Sequence, residues 1–569
     1  MKKITKILLV FLIAALCVGS FAACGGGSGG MTSDGRYILS VYRGRSSGMI
    51  DGKDDALVTE AIEKKFKEDT GIGIDLQMTL ETNTSIPQKV DLDYSKKDKQ
   101  MDLVFHYASE DVGSAIVKYA KESESVKEVE GLLEQYGQHI LAAIRQGDTN
   151  HIAEKTGYVL QENGELKMTM IPGVYAEKQY GILLNKTYMK QVQDKTGLDP
   201  ETFDIANENY QNMNFKQFDT LLRAMKSIPD VQYSLTGYPW DISRVIAPTF
   251  GVDAMSYGLK DGKLVPAQLT DGFDRYISTM FEWAKDGLWA PDSNNKSEVQ
   301  MRSDFMIGKS GVFIAYPEIN NLIQLHRQAR AMEENADTEY MMIAPLADVD
   351  ENGDTLIENG EPVVRGFLKN NRAFGAVILP MKSKHPEITV QFLDWMYASQ
   401  ENYDLCKYGI KGQHWIEGPE KVINGVTYKT WEYPAAKYDE YTQNPPYSGM
   451  WELLPNLNVS NRVRSDLMDK EMAWYVACTS ENEALASVTE GVWLPKVSRS
   501  LAMQAQTVDG KYVEDIRSYA WTGLTNNGKS PVEILKDYVA EVSVSCKDYL
   551  DAVDANYQTA KQKLAEKFA

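Results

Sequence analysis

Aromatic rings set beside hydrogen-bonding side chains recur along this chain. Tyr42 precedes Arg43, and His106 and Tyr107 are followed by Glu110 and Asp111. Trp240 precedes Asp241 in a Tyr-Pro-Trp-Asp loop, and Tyr316 lies two residues before Glu318. Tyr175 follows a Pro-Gly turn, while Trp415 and Trp451 fall in loop-like stretches. A flat ring covers the apolar C–H face of a polar guest, and neighbouring Asp, Glu, Asn or Arg groups hold its hydroxyls. That chemistry is capture without turnover. The composition agrees, with 10 Trp and 31 Tyr against 16 Phe. The same rings also serve in packing, and Trp283 and Trp395, inside helical patterns, read as structural. His106 reads as a hydrogen-bonding group, because no second histidine stands at metal-ligand spacing.

Catalysis finds little support. The chain has no Gly-x-Ser-x-Gly elbow, His-Glu-x-x-His pair or Walker loop. Acidic residues are plentiful, so a glycosidase carboxylate pair stays open as an alternative. Asp348 to Asp354 (DVDENGD) fits the first half of a calcium-binding loop. The closing carboxylate should fall at position 359, which is Asn, and Glu358 and Glu361 miss the register. A polar turn is therefore favoured over a structural calcium site, and no cofactor is required.

The elements that must carry these residues alternate between strand and helix. Strands are expected at Arg36–Arg43, Ile72–Thr79, Met101–Tyr107 and Gln179–Asn185, and helices at Leu57–Asp69 and Lys186–Lys195. The Asn214–Met225 segment has Phe215, Phe218, Leu221, Leu222 and Met225 on one face and an Asn-x-x-Gln capping box. Further amphipathic helices are expected over Phe273–Gly287, from Pro386, and from Ser530 toward the C-terminus. Such alternation means βαβ units and an α/β fold. In these sheets ligands sit beyond the carboxyl ends of the strands, which is where most of the ring–polar pairs fall.

The first residues bear on compartment. Lys2, Lys3 and Lys6 precede an uncharged apolar run from Ile7 to Gly19, then small residues and Ala22-Ala23-Cys24. This is the pattern of a signal peptide over residues 1–23. Phe21 to Cys24 resembles a bacterial lipobox, so Cys24 is the expected lipidation site, with a Gly/Ser tether through residue 35. Cys17 leaves with the signal. Cys406, Cys478 and Cys546 show no metal spacing and read as buried thiols. A net charge of −20 argues against nucleic acid and against a polyanionic ligand.

Several segments resemble family 1 extracellular solute-binding proteins, in the long lipoprotein branch found in Gram-positive bacteria. They are Met101-Asp102-Leu103-Val104, QYGILLNK (179–186), FEWAKDGLWAP (281–291), MIGKSGV (306–312), Ser383-Lys384-His385-Pro386-Glu387 with FLDW (392–395), and YGIKGQHW (408–415). Their order spans most of residues 36–415. The resemblance implies an α/β, two-lobe periplasmic-binding-protein-like (Venus-flytrap) fold with an interlobe cleft and several hinge crossings. It places lobe 1 at 36–178 plus 344–415 and lobe 2 at 179–343 plus 416–569. It further implies a monomeric, non-enzymatic lipoprotein on the outer face of the cell membrane. Such a protein captures a neutral oligosaccharide for ABC transporter permease subunits. A surface glycoside hydrolase or lyase, and a binding lipoprotein for a peptide or other non-sugar solute, are the alternatives.

Overall fold

The computed structural model describes residues 30–45, 51–107, 115–122, 124–146, 150–174, 180–207, 209–290, 292–293, 295–315, 340–368, 375–423, 426–456, 462–467, 471–474, 484–494 and 496–569. Strands β1 (Tyr37–Arg45), β2 (Ile74–Thr82) and β3 (Leu103–Tyr107) form a parallel set with β1 in the middle. Gly375–Ile378 adds antiparallel to β3, and Ile171–Pro172 adds antiparallel to Gly375–Ile378. The carboxyl ends of β1, β2, β3 and Ile171–Pro172 therefore share one edge with the amino end of Gly375–Ile378. A second sheet runs in the order Tyr340–Ile343, Gly181–Asn185, Ser310–Ala315, Tyr233–Thr236. Gly181–Asn185 is antiparallel to both neighbours, and Ser310–Ala315 is parallel to Tyr233–Thr236.

Each sheet has its own hydrophobic core. Leu39, Leu103, Ile171, Val377 and Phe392 belong to the first, and Ile182, Leu235, Ile314, Met341 and Phe273 to the second. Gly181–Asn185 is buried throughout, and β1 over residues 39–44, as sheets covered on both faces require, whereas the edge strand β2 buries only Ile74 and Leu76. The expected helix at 57–69 is present over Asp55–Thr70. It buries Val58, Ile62 and Phe66 and ends at Gly71, whose φ of 77° is the left-handed conformation glycine adopts cheaply. The capping boxes at Asn214 and Ser530 are both formed.

Three expectations shift. β1 and β2 extend beyond their expected ends, so Tyr42 sits inside a strand rather than at its tip. The stretch assigned to lobe 2 from residue 416 divides instead. Tyr447, Trp451, Leu453 and Leu454 pack into the first core, while the helices Arg499–Thr522 and Pro531–Ser545 pack into the second. The closing segment breaks at Cys546 into Pro531–Ser545 and Lys547–Lys567. Cys406 and Cys546 are buried free thiols; Cys17, Cys24 and Cys478 lie outside the described residues. Among the described residues no helix is long and apolar enough to cross a membrane.

A buried polar knot fastens β1 to the helix Ile86–Ser95. The Tyr42 hydroxyl donates to Asp93 at 2.9 Å, and Lys96 and Lys89 approach the same carboxylate at 2.7 and 3.0 Å. Burial alone would raise the Asp93 carboxyl, but Lys96, Lys89 and Tyr42 outweigh it and hold it well below the usual carboxylate range. A carboxyl depressed in the folded state adds stability above its unfolded value near pH ~4, and this is lost as pH falls through that value toward the folded one. Between pH 5 and 3 the melting temperature of the native protein should therefore fall more steeply than that of Asp93→Asn; parallel pH profiles would show the knot to be electrostatically idle.

Candidate functional site

Among the described strands of the two sheets, the chain passes from one sheet to the other twice. It leaves the first sheet at Pro172 and enters the second at Gly181; it returns from Leu368, held in the second lobe by pairing with Leu485, to Gly375. The return has seven peptide steps to cover, a reach of at most about 25 Å. Both crossings join the carboxyl edge of the first sheet to the Gly181 edge of the second. The two edges therefore form the rims of one interlobe cleft, the position where α/β sheets bind ligands.

On the second lobe, Tyr233–Thr236 ends at Gly237, whose φ is 152°. A Cβ there would stand 2.7 Å from the Ile314 carbonyl oxygen, so the turn admits only glycine. The turn delivers Pro239 as the opening residue of the helix Pro239–Ile246, and Trp240 and Asp241 occupy its first turn. They are half-buried and sit on a helix rather than in the expected loop. One turn later, the buried Arg244 packs its guanidinium 4.6 Å from the centre of the Trp240 ring and 5.7 Å from that of Tyr180. A cation clasped between two rings fixes the tryptophan's orientation. Tyr180 is the residue that enters the second sheet from the crossing, so this stack stands on the cleft rim.

On the first lobe, Asn83 follows β2 and organises the rim. Its side-chain amide donates to the Tyr107 hydroxyl at 3.0 Å, and its carbonyl lies 3.0 Å from His106 Nε2. The short contact to a carbonyl requires a hydrogen on Nε2, which leaves Nδ1 as an acceptor with no hydrogen-bond partner among the described residues. Burial pushes the His106 imidazole below its ordinary value, against the pull of the Asn83 carbonyl, so the ring is neutral. Gly44 makes room for it, since a Cβ there would lie 2.7 Å from His106 Cδ2.

Of the residues expected to bind ligand, Trp240 and Asp241 stand half-buried just beyond the Tyr233–Thr236 strand, and His106, only 1% exposed, lies near the carboxyl end of β3 beneath Asn83. Arg43 is redirected: it is buried, donates through Nη1 to the Gly449 carbonyl at 2.7 Å and stands 5.4 Å from the Phe105 ring centre. Its role is to clamp the 447–454 segment onto the sheet. Tyr42 is corrected to the polar knot beneath the helix Ile86–Ser95. Trp451 is corrected to core: fully buried, it donates to Thr59 Oγ1 at 2.8 Å. Trp415 is corrected likewise. Only 2% exposed, it donates to the Gly409 carbonyl at 3.0 Å, with the Arg462 guanidinium 5.1 Å from its ring, beside the helix Gln400–Tyr408 and away from the rim. Tyr175, Tyr316, Glu318, Glu110, Asp111 and Cys24 lie outside the described residues.

Three rim residues escaped the sequence reading. Asn83 was hidden because β2 runs three residues longer than its alternation suggested. Arg244 carried a signal, standing four residues after Trp240 on one helix face. Tyr180 was read only as part of a buried strand.

In the Asp348–Asp354 loop the carboxylates of Asp348 and Asp350 are engaged by groups of the protein itself. Asp350 Oδ1 accepts from the backbone of Asn352 and Asp354 at 2.8 and 3.0 Å, and Asp348 is held by Arg275 and Arg365, each at 2.8 Å. Asn359, where a closing carboxylate would fall, has a φ of 53° in the turn of the Ile357–Glu358 hairpin. Among the described residues no three His, Cys, Asp or Glu side chains are grouped to hold a metal.

No protein-family model and no curated protein matches this chain. Solved structures match it over almost its whole length. An N-glycan transport solute binding protein (NgtS) from Streptococcus pneumoniae superposes with a TM-score of 0.62 at 14% identity, covering 92% of this chain and 99% of that one. An extracellular solute-binding protein from Bifidobacterium longum subsp. infantis gives 0.60 at 13% identity, over 93% and 99%. The S. pneumoniae ABC-transporter substrate binding protein FusA, in complex with kestose, gives 0.58 at 14%, over 92% and 100%. The chain thus has the two-lobe fold of solute-binding proteins.

Truncating a ring now separates core from rim. Trp451→Ala should cost about 3–5 kcal/mol of stability, the range for deleting a fully buried large ring, and lower the melting temperature sharply. A chemical-denaturation curve unchanged from the native one would place Trp451 outside the core.

Proposed function

We propose that this protein captures an oligosaccharide between its two lobes and delivers it, chemically intact, to the permease of an ABC-type importer. The observation that carries the reading is the pairing of rims. A tryptophan ring locked by Arg244 and Tyr180 stands on one lobe, and the Asn83–His106–Tyr107 hydrogen-bonding set stands on the other. A sugar presents an apolar face to the first and hydroxyls to the second. Covering about 100 Å² of apolar area with one ring is worth roughly 2–3 kcal/mol at ~25 cal/mol per Å². A few such contacts, less the cost of ordering, bring capture into the range of ~1 μM. Closing the lobes buries both sets around the guest.

The named ligands of the structural neighbours support the same class. NgtS has been solved with Man1GlcNAc and Man5GlcNAc, FusA with kestose, and another neighbour is an HMO-binding protein associated with an ABC transporter. Alginate is the ligand named for the neighbour AlgQ2. For this chain, the net charge of −20 favours a neutral glycan over such a polyanion. Cys24 and the Gly/Ser stretch after it support a lipid anchor on the outer membrane face, with the binding domain free to present its ligand as a monomer.

A panel of neutral glycans screened by thermal shift, with chromatography of each incubated sample, tests the proposal. A stabilising glycan recovered intact is expected; shortened products would establish a hydrolase, and stabilisation by peptides alone would establish a different transporter ligand. With the stabilising glycan in hand, Trp240→Ala should weaken binding by about 2–4 kcal/mol while the melting temperature of the free protein stays close to native. Cys24→Ala should release the protein from the cell surface into the medium; retention at the membrane would rule out the thioether anchor.

A further inference from the structure

A second cavity of about 1040 Å³ lies apart from the rims. Its walls come from both lobes and from the C-terminal helices: Lys121 and Gln161 from the first, Ser256 and Tyr257 from the second, Ala502 and Asn556 from the helices. The volume is that of a small-molecule site rather than a packing defect. Gln161 is 3% exposed and spends its amide hydrogens on the Ala120 and Val159 carbonyls at 3.1 and 3.2 Å. Its Oε1 accepts no hydrogen bond among the described residues but is itself closed off from solvent, so the polar lining of the cavity is carried by Lys121, Glu162, Ser256, Tyr257 and Asn556. A tyrosine, hydroxyl and amide groups and a mixture of charges complete a lining suited to a neutral, hydroxyl-rich molecule.

The helix beside this cavity ties the lobes together. Lys547–Lys567 is about 32 Å long at ~1.5 Å per residue. At its start, Tyr549 and Leu550 pack against the second core, and Asp554 accepts from the Leu264 backbone at 2.9 Å. At its end, Leu564 enters the first core, Lys567 pairs with Glu130 at 2.9 Å, and Phe568 meets Tyr158 edge-on at 5.6 Å. A rigid rod anchored in both cores constrains how far one lobe turns against the other. Any such turn also reshapes a cavity walled by both.

We propose that this cavity is a second binding site, for a short neutral saccharide or polyol, and that its occupancy is coupled to the angle between the lobes through the closing helix. A molecule that fits the cavity better at one angle shifts the lobes toward that angle, with a coupling free energy set by its differential fit.

The test uses the full mature chain carrying Trp240→Ala, which weakens the principal cleft and isolates the second site. Glycerol, sucrose and maltotriose are the probes, read by calorimetry, with small-angle scattering for the lobe angle. At least one probe should bind and change the radius of gyration. Filling the cavity with Ala502→Trp, or independently with Ser256→Trp, should weaken that binding tenfold or more; circular dichroism melts confirm that the variants fold. The proposal is overturned if none of the three probes binds, if binding persists undiminished in both filled variants, or if binding leaves the radius unchanged. Because Ala502→Trp and Ser256→Trp alter only the second cavity, their effect reports on that site alone, and failure of oligosaccharide capture in the principal cleft leaves this result standing.

Discussion

Everything in this molecule follows from where the chain crosses between its two sheets. Had the crossings joined the far ends, the carboxyl edges of β1, β2 and β3 would face solvent, and their polar tips would have nothing to close against. Instead Pro172 to Gly181 and Leu368 to Gly375 both connect the carboxyl edge of the first sheet to the Gly181 edge of the second. Each lobe completes its own core, so neither depends on the cleft for stability. That separation lets the rims carry half-buried groups such as Trp240 and Tyr107 without an energetic penalty to the fold.

The rims are also rigid where it matters. Trp240 is positioned by a glycine that no other residue can replace at a φ of 152°, by a proline that opens its helix, and by an arginine clasped between two rings. On the opposite lobe a single asparagine orients both His106 and Tyr107. Preorganised groups of this kind bind without losing freedom at the moment of contact. The relative placement of the lobes, by contrast, rests on the connections between the sheets, on the later passage from the 447–454 segment to the helix Arg499–Thr522, and on one long helix anchored in both cores.

The aromatic residues show how far residue type alone carries an argument. Trp451, Trp415 and Trp240 look alike in sequence: each sits near glycine or proline in a stretch without clear periodicity. Trp451 and Trp415 satisfy their indole hydrogens inside the first lobe, on Thr59 Oγ1 and the Gly409 carbonyl. Trp240 remains on the rim. Those two partners differ sharply in distance along the chain, since Gly409 is six residues from Trp415 while Thr59 lies on a helix 392 positions before Trp451. A partner that remote cannot be inferred from local pattern. Tyr42 and Asp93, 51 positions apart, make the same point for a polar residue drawn away from the cleft.

By itself the sequence determined the local grammar: the buried strand runs, the amphipathic helices with their capping boxes, the α/β alternation, and the motifs that resemble solute-binding proteins. These are set by side-chain periodicity and backbone preference within a few residues. Tertiary structure alone decided which ring became core and which became rim, that the 447–454 segment packs into the first core, and that the last helix reaches across to both. Such outcomes depend on contacts between residues hundreds of positions apart, whose burial is settled only when the two cores close.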